Sequence, residues 1–207
     1  LNILKKSDII LCEDTRRSGK LLSYFKIKSK LITYHKFNEE SISGKIVNFI
    51  KENKIISLIS DAGTPAISDP GMIIVNKCIK ENLSIFPIPG PSAITSAVSI
   101  SGFNDQYLFY GFLPKKEKEL KNLFKILENI NFCIVFFISA KKINFYLSKF
   151  KEHFLDRKIF IAKEMTKIHE KFIRDKVESI KNLPDNFKGE LTVILSEKIK
   201  GKNIKKE

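Results

Sequence analysis

Apolar residues in this chain come in short runs, and each run is followed by a polar turn and then by apolar positions at helical spacing. Residues 7–12 (SDIILC) form the first run, Glu13-Asp14-Thr15-Arg16 the turn, and Leu21, Leu22 and Phe25 the helical pattern. The second unit is residues 30–34, then HKFNEE at 35–40, then Ile42, Ile46, Val47 and Ile50. The third is KIISLI at 54–59, then SDAGTPAISDPG at 60–71, then Ile73, Ile74, Val75, Cys78 and Ile79. Residues 83–88, PGPSA and residues 94–100 supply a fourth copy. Strand, loop and helix repeated in this order predict an α/β domain with a parallel sheet.

After Gly102 the rhythm changes. GFLPKKEKE lacks apolar periodicity, contains Gly111 and Pro114 and carries a cluster of charges, so a domain boundary is predicted there, with domains at 1–113 and 114–207. A helix at 120–127, a run at 132–138, a helix through Phe145, Tyr146, Leu147 and Phe150, a run at 158–162 and a last strand at 191–195 predict a second α/β domain. The tail KIKGKNIKKE is basic and reads as a solvated end, with an RNA-contacting arm as the alternative. At the other terminus LNILKK reads as the end of a helix running into a strand, so an N-terminal piece, including the first strand of the domain, is expected to precede Leu1.

Composition adds a direction but no chemistry. The 207 residues carry a formal net charge of +14, which favours phosphate backbones or anionic lipid as partners. A genome-wide bias toward Lys, Ile and Asn explains the same charge equally well. Cys12, Cys78 and Cys133 stand far apart in apolar runs without metal-ligand or disulfide spacing, so neither is expected. No apolar run approaches the roughly 20 residues needed to span a bilayer, and no signal sequence is visible, so a cytoplasmic protein is expected.

In an open parallel sheet, ligands bind beyond the carboxyl ends of the strands. Two loops there are dense in turn residues. One contains Gly63, Pro65, Pro70 and Gly71 among Ser60, Asp61, Thr64, Ser68 and Asp69; the other is Pro89-Gly90-Pro91-Ser92-Ala93, with Ser92 a good N-cap. Taken singly, either reads as a tight connection whose Asp and Ser cap helices. Together, SDAGTPAISDPG and PIPGPSA, preceded by CEDTRRSG and YHKFNEE and followed by GFLPKKEKE, KEMTKIHE and KGELTVILSE, resemble the small-subunit ribosomal RNA cytidine 2′-O-ribose methyltransferases of the tetrapyrrole-methylase fold.

The resemblance covers nearly the whole chain. It implies two α/β domains with S-adenosylmethionine folded in the cleft between them, held by Asp61, Ala62, Gly63, Thr64, Ile67, Ser92, Ala93, Phe112 and Leu113. It further implies a 16S ribosomal RNA or small-subunit partner, a homodimer, and a cytidine 2′-hydroxyl as acceptor. Where the family carries an aromatic-Glu-Ser stretch before a basic pair, this chain reads FFISAKK, with Ile138 at the glutamate position.

Transfer to a ribose hydroxyl requires positioning of the oxygen and removal of its proton. Glu13, Asp14, His35, Asp61 and Asp69 at strand ends, and Lys167 and Glu170 from the second domain, are the candidates; Arg16 and Arg17 are candidates for holding a phosphate. Each has a plainer reading, as a helix cap, a helix surface or a solvated loop. Lys115, Lys116, Lys118 and Lys121 read equally as a phosphate track and as a solvated helix face. A corrin or porphyrin methylase of the same fold and a noncatalytic RNA-binding relative are the rival functions.

Overall fold

The computed structural model describes residues 1–184 and 186–199; residues 200–207 of the basic tail lie outside the described residues. The chain forms two compact units, Leu1–Ser92 and Ala93–Glu207.

In the first unit, α1 (Asn2–Lys6), β1 (Ile9–Cys12), α2 (Thr15–Tyr24), β2 (Lys30–Thr33), α3 (Glu39–Lys51), β3 (Ile56–Leu58) and α4 (Met72–Lys80) follow one another. The three strands are parallel in the order β2-β1-β3, as expected from the repeat. The central strand is buried throughout. Its Ile9 and Leu11 pack with Ile46, Val47, Ile74 and Cys78 of α3 and α4, while Ile10 points to the other face, against Leu22 of α2 and Ile27. Each such side chain withdrawn from water contributes about 1.5–3 kcal/mol, which is why the central strand is uniformly apolar and its helices are striped. Because the strands run parallel, the loops after β1, β2 and β3 leave from a single edge.

The fourth run does not form a strand. Residues 83–88 make no ladder among the described residues, and Ile85, Phe86 and Ile88 are exposed. Apolar side chains fit a strand, but a strand also needs a neighbour offering backbone N–H and C=O groups, and the described ladder of β3 is with β1.

In the second unit, α5 (Ala93–Ser101), β4 (Tyr107–Phe112), α6 (Glu117–Leu127), β5 (Cys133–Ser139), α7 (Ile143–His153), β6 (Lys158–Lys163), β7 (Lys171–Lys176) and β8 (Glu190–Leu195) build a five-stranded sheet of order β4-β5-β8-β6-β7. Only β4 and β5 are parallel; the other pairs are antiparallel. Strand alternation sorts the core. Ile134, Phe136, Ile138, Ile159, Ile161, Leu191, Val193 and Leu195 face α6 and α7, whereas Cys133, Val135, Phe160, Ala162 and Ile194 face Ile94 and Ala97 of α5. Compactness thus divides the chain before α5, whereas the sequence suggested Leu113/Pro114. The intervening stretch goes with the second unit because β4 is bonded to β5 and α5 covers the same sheet.

Candidate functional site

At the carboxyl edge of the first unit, Asp14 caps α2, accepting from Arg16 N at 2.9 Å, as expected of an Asp before a helix. The same carboxylate takes Arg16 Nε at 3.1 Å and an Arg16 terminal nitrogen at 2.8 Å. This fork holds the Asp14 carboxyl far below the usual carboxylate range. Glu13 turns the other way, and its Oε1 accepts from Asp61 N at 3.3 Å. Arg17 reaches across to Asp61 Oδ2 at 3.2 Å. Asp14, Arg16, Arg17 and Lys20 line a concavity of about 340 Å³. The β1 and β3 loops are therefore laced together by Glu13, Arg17 and Asp61.

Residues 60–71 form a shaped loop. Ser60 Oγ donates to Gly63 O at 3.1 Å, Ala66 N to Pro70 O at 3.2 Å, Thr64 Oγ1 to Pro91 O at 3.0 Å and Gly71 N to Glu39 Oε2 at 3.2 Å. Ala66 and Ser68 both lie at φ 65°, and Gly71 at φ 143°. Non-glycine residues held there cost on the order of 1–3 kcal/mol each, a strain that clusters at ligand-binding loops. Gly63 lies at φ 85° with nothing within 4 Å of where a Cβ would stand, so its backbone is open to a ligand. Asp61 Oδ1 is buried and has no hydrogen-bond partner among the described residues. A buried carboxylate oxygen without a donor is costly, and a bound hydroxyl or ammonium would relieve it. Ile67 is exposed on the same loop, and the first unit ends at Ser92.

The remaining expected positions belong to the second unit. Ala93 opens α5; Phe112 ends β4 with its ring exposed and Leu113 follows it, buried. Lys167 and Glu170 lie in the loop between β6 and β7, where Glu164 and Thr166 sit at φ 48° and 64°. Lys167 Nζ is paired with Glu190 at 2.7 Å and Glu164 at 3.1 Å, and Glu170 accepts from Thr166 N at 2.6 Å. The Glu190 carboxylate foremost, and Glu164 with it, raises the Lys167 ammonium above its ordinary value and keeps it charged. Sequence reasoning named Lys167 but not the two glutamates that hold it. Ile138 is buried in the core of this unit, at the position where the family resemblance expects a carboxylate. A larger cavity, about 570 Å³, lies at the starts of β5 and β6 and the end of β8, lined by Asn104, Asn131, Lys158 and Glu197 among others. It is at the opposite end of the sheet from Phe112 and Leu113, away from the expected chemistry.

Comparison with known proteins agrees with these motifs. The family model described as Tetrapyrrole (Corrin/Porphyrin) Methylases matches residues 1–181. The chain is 42% identical over 201 residues to the Ribosomal RNA small subunit methyltransferase I of Thermotoga maritima, covering 96% of this chain and 90% of that protein. Its counterpart in Mesomycoplasma conjunctivae is 41% identical over 208 residues, covering 100% and 87%. Among solved structures, diphthine synthase superposes with a TM-score of 0.69 at 13% identity, over 94% of this chain and 82% of that one. Uroporphyrin-III C-methyl transferase from Thermus thermophilus, complexed with S-adenyl homocysteine, gives 0.61 at 11% identity, over 95% and 88%.

Proposed function

Since the chain belongs to the tetrapyrrole (corrin/porphyrin) methylase family, and within it to the ribosomal RNA small subunit methyltransferase I group, we propose that it methylates the 2′-hydroxyl of a cytidine in 16S ribosomal RNA with S-adenosylmethionine as donor. The observation that carries this reading is the lacing of two loops through Arg17 and Asp61: a strained polar loop with an open backbone at Gly63, tied directly to a cationic concavity. The first suits a polar nucleoside-like donor, and the second a phosphate.

The residues fit the donor. Asp61 Oδ1 offers an acceptor that the protein leaves unfilled, and the Ala62–Gly63 backbone is accessible. Within the first unit, Asp61, Ala62, Gly63, Thr64, Ile67 and Ser92 would hold it. When bound, S-adenosylmethionine supplies an electrophilic methyl group on a sulfonium. The protein's part is to orient the ribose and manage one proton. Asp14, held ionised by Arg16, is too weak a base to take that proton, and Lys167 is kept protonated by its two glutamates; both serve positioning instead. His35 Nδ1 accepts from Phe37 N, which leaves its other ring nitrogen as the donor. Glu13, Asp61 and Asp69 remain the carboxylate candidates at this edge.

The chain is further proposed to act as a homodimer, a reading supported by the exposed Ile85, Phe86 and Ile88, and in the cytoplasm, where its substrate lies. Among the described residues no helix is long and apolar enough to cross a membrane. The test is transfer of labelled methyl from S-adenosylmethionine to unmethylated small ribosomal subunits, followed by mapping of the labelled nucleoside. Label on a cytidine ribose is expected. Donor binding with label passing only to a porphyrin precursor would overturn the RNA reading, and absence of donor binding would overturn the enzymatic one.

A further inference from the structure

Phe37 is the most exposed phenylalanine or tyrosine among the described residues, at 93%. Leaving it in water forgoes about 1.5–3 kcal/mol of burial, so the exposure needs a reason. The segment carrying it is tightly held. Asn38 Oδ1 accepts from His35 N at 2.8 Å while Asn38 Nδ2 donates to Thr33 O at 2.9 Å. Asn38 N and Glu39 N both donate to His35 O at 3.0 Å, and Phe37 N donates to His35 Nδ1 at 3.3 Å. The His35 ring stands edge-on to the Phe37 ring, centroids 6.0 Å apart at 68°. A stiff turn therefore displays a bare aromatic face, with Lys36 exposed beside it.

The neighbourhood specifies an occupant. β2 pairs with β1 in parallel register, Thr33 opposite Cys12, so the Phe37 turn and the Arg16–Arg17–Lys20 concavity leave adjacent strand ends at one edge. Cations beside an exposed ring are the combination that grips single-stranded nucleic acid: the charges take the phosphates and the ring takes a base face. We propose that Phe37 is a stacking platform for an unpaired base of the RNA substrate, whose backbone lies against Arg17 and Lys20. This rests on the RNA reading above and adds a positioning residue to it.

The chain contains no tryptophan, so Phe37→Trp introduces a single reporter. Titration of that variant with a short oligocytidylate and with deproteinised 16S RNA is expected to quench its emission, as a stacked base does. Phe37→Ala is expected to weaken RNA binding roughly 5- to 150-fold, the range for losing one stacked base, while leaving the dependence of affinity on salt unchanged. Arg17→Ala and Lys20→Ala should each flatten that dependence by about 0.7 in log–log slope. A Phe37→Ala variant that binds RNA like the unaltered chain, with no quenching in Phe37→Trp, overturns the proposal and leaves the RNA reading standing. Failure of the unaltered chain to bind either RNA removes both. Blue-shifted Phe37→Trp emission that reddens on dilution and ignores RNA would mean a second copy covers the ring, and also overturns it.

Discussion

Gly71 closes the loop at residues 60–71, and replacing it with alanine should damage that loop more than any nearby glycine substitution. A Cβ at Gly71 would stand 2.8 Å from Leu58 Cδ2, 3.0 Å from Ala66 Cβ and 3.2 Å from Ala66 N. The leucine methyl can swing aside. Ala66 cannot do so easily, because its N–H is bonded to Pro70 O and it already sits at φ 65°. Alanine at φ 143° costs about 1–3 kcal/mol in backbone strain, and crowding of a packed site adds about 1–3 kcal/mol, so about 2–6 kcal/mol is expected. Gly63→Ala is the control: it has positive φ but open space, so strain of about 1–2 kcal/mol is partly offset by a stiffer unfolded chain, leaving about 1 kcal/mol. Urea unfolding of both variants gives the stabilities, and calorimetric titration with S-adenosylmethionine gives the affinities. Gly71→Ala should lose donor affinity as Ala66 is pushed out of place. Stability within 1 kcal/mol of the unaltered chain, or a larger loss in Gly63→Ala, would refute the reasoning.

Arg157 is fully buried and donates to the carbonyls of Phe132 at 2.9 Å, Ser196 at 2.7 Å and Ile130, with Phe154 beneath its guanidinium. Arg157→Met should cost about 3–5 kcal/mol in denaturant unfolding, because its partners are carbonyls left orphaned in the interior; a loss under 1 kcal/mol contradicts this. The Glu164 carboxyl is held below its ordinary value, first by the N–H of Glu190 and then by Lys167. A depressed folded value means stabilisation that is complete above the unfolded glutamate value of about 4.3 and is lost as pH falls through the folded one. Thermal melts between about pH 5 and pH 2 should therefore show a smaller acid loss in Glu164→Gln than in the unaltered chain, and identical slopes would dismiss the clamp. Burial pushes the Cys133 thiol up to about 11 and raises Cys12 and Cys78 as well. All three should resist alkylation near pH 8 until denaturant is added, and native-state labelling at the unfolded rate would show that one is accessible.

The sequence was most legible where one physical requirement dominates. β1, β2 and β3 were found because strands of a parallel sheet under helices are apolar runs ended by polar turns. β7 was missed for the opposite reason: it is an edge of the second sheet and alternates Arg174 and Lys176 with Ile173 and Asp175, whereas β4, the other edge, is an apolar run hidden beside the charged segment that marked the expected boundary. Residues 83–88 misled because apolar content says nothing of whether a pairing partner is present. In the site, the motif loops were legible by resemblance, and Asp14 by its capping position. The Glu164–Lys167–Glu190 clamp was not, since it depends on the antiparallel register that sets Lys163 against Leu191. Arg157 sits in the charged string Asp156-Arg157-Lys158, where nothing in the sequence marks it as buried; only the fold reveals that its guanidinium faces inward.

The position of β8 between β5 and β6 bears on how the chain is made. A growing chain emerges from its N-terminal side, so the three parallel strands of the first unit, all complete by Leu58, can pair early. The second sheet has no such option. Until Glu190–Leu195 has been synthesised, β5 and β6 each present an apolar strand with an open backbone edge and nothing to join them. A chain stalled before Glu190 would therefore expose two sticky edges at once, so synthesis of the second unit passes through a window in which chaperone cover matters most and self-association is the competing fate.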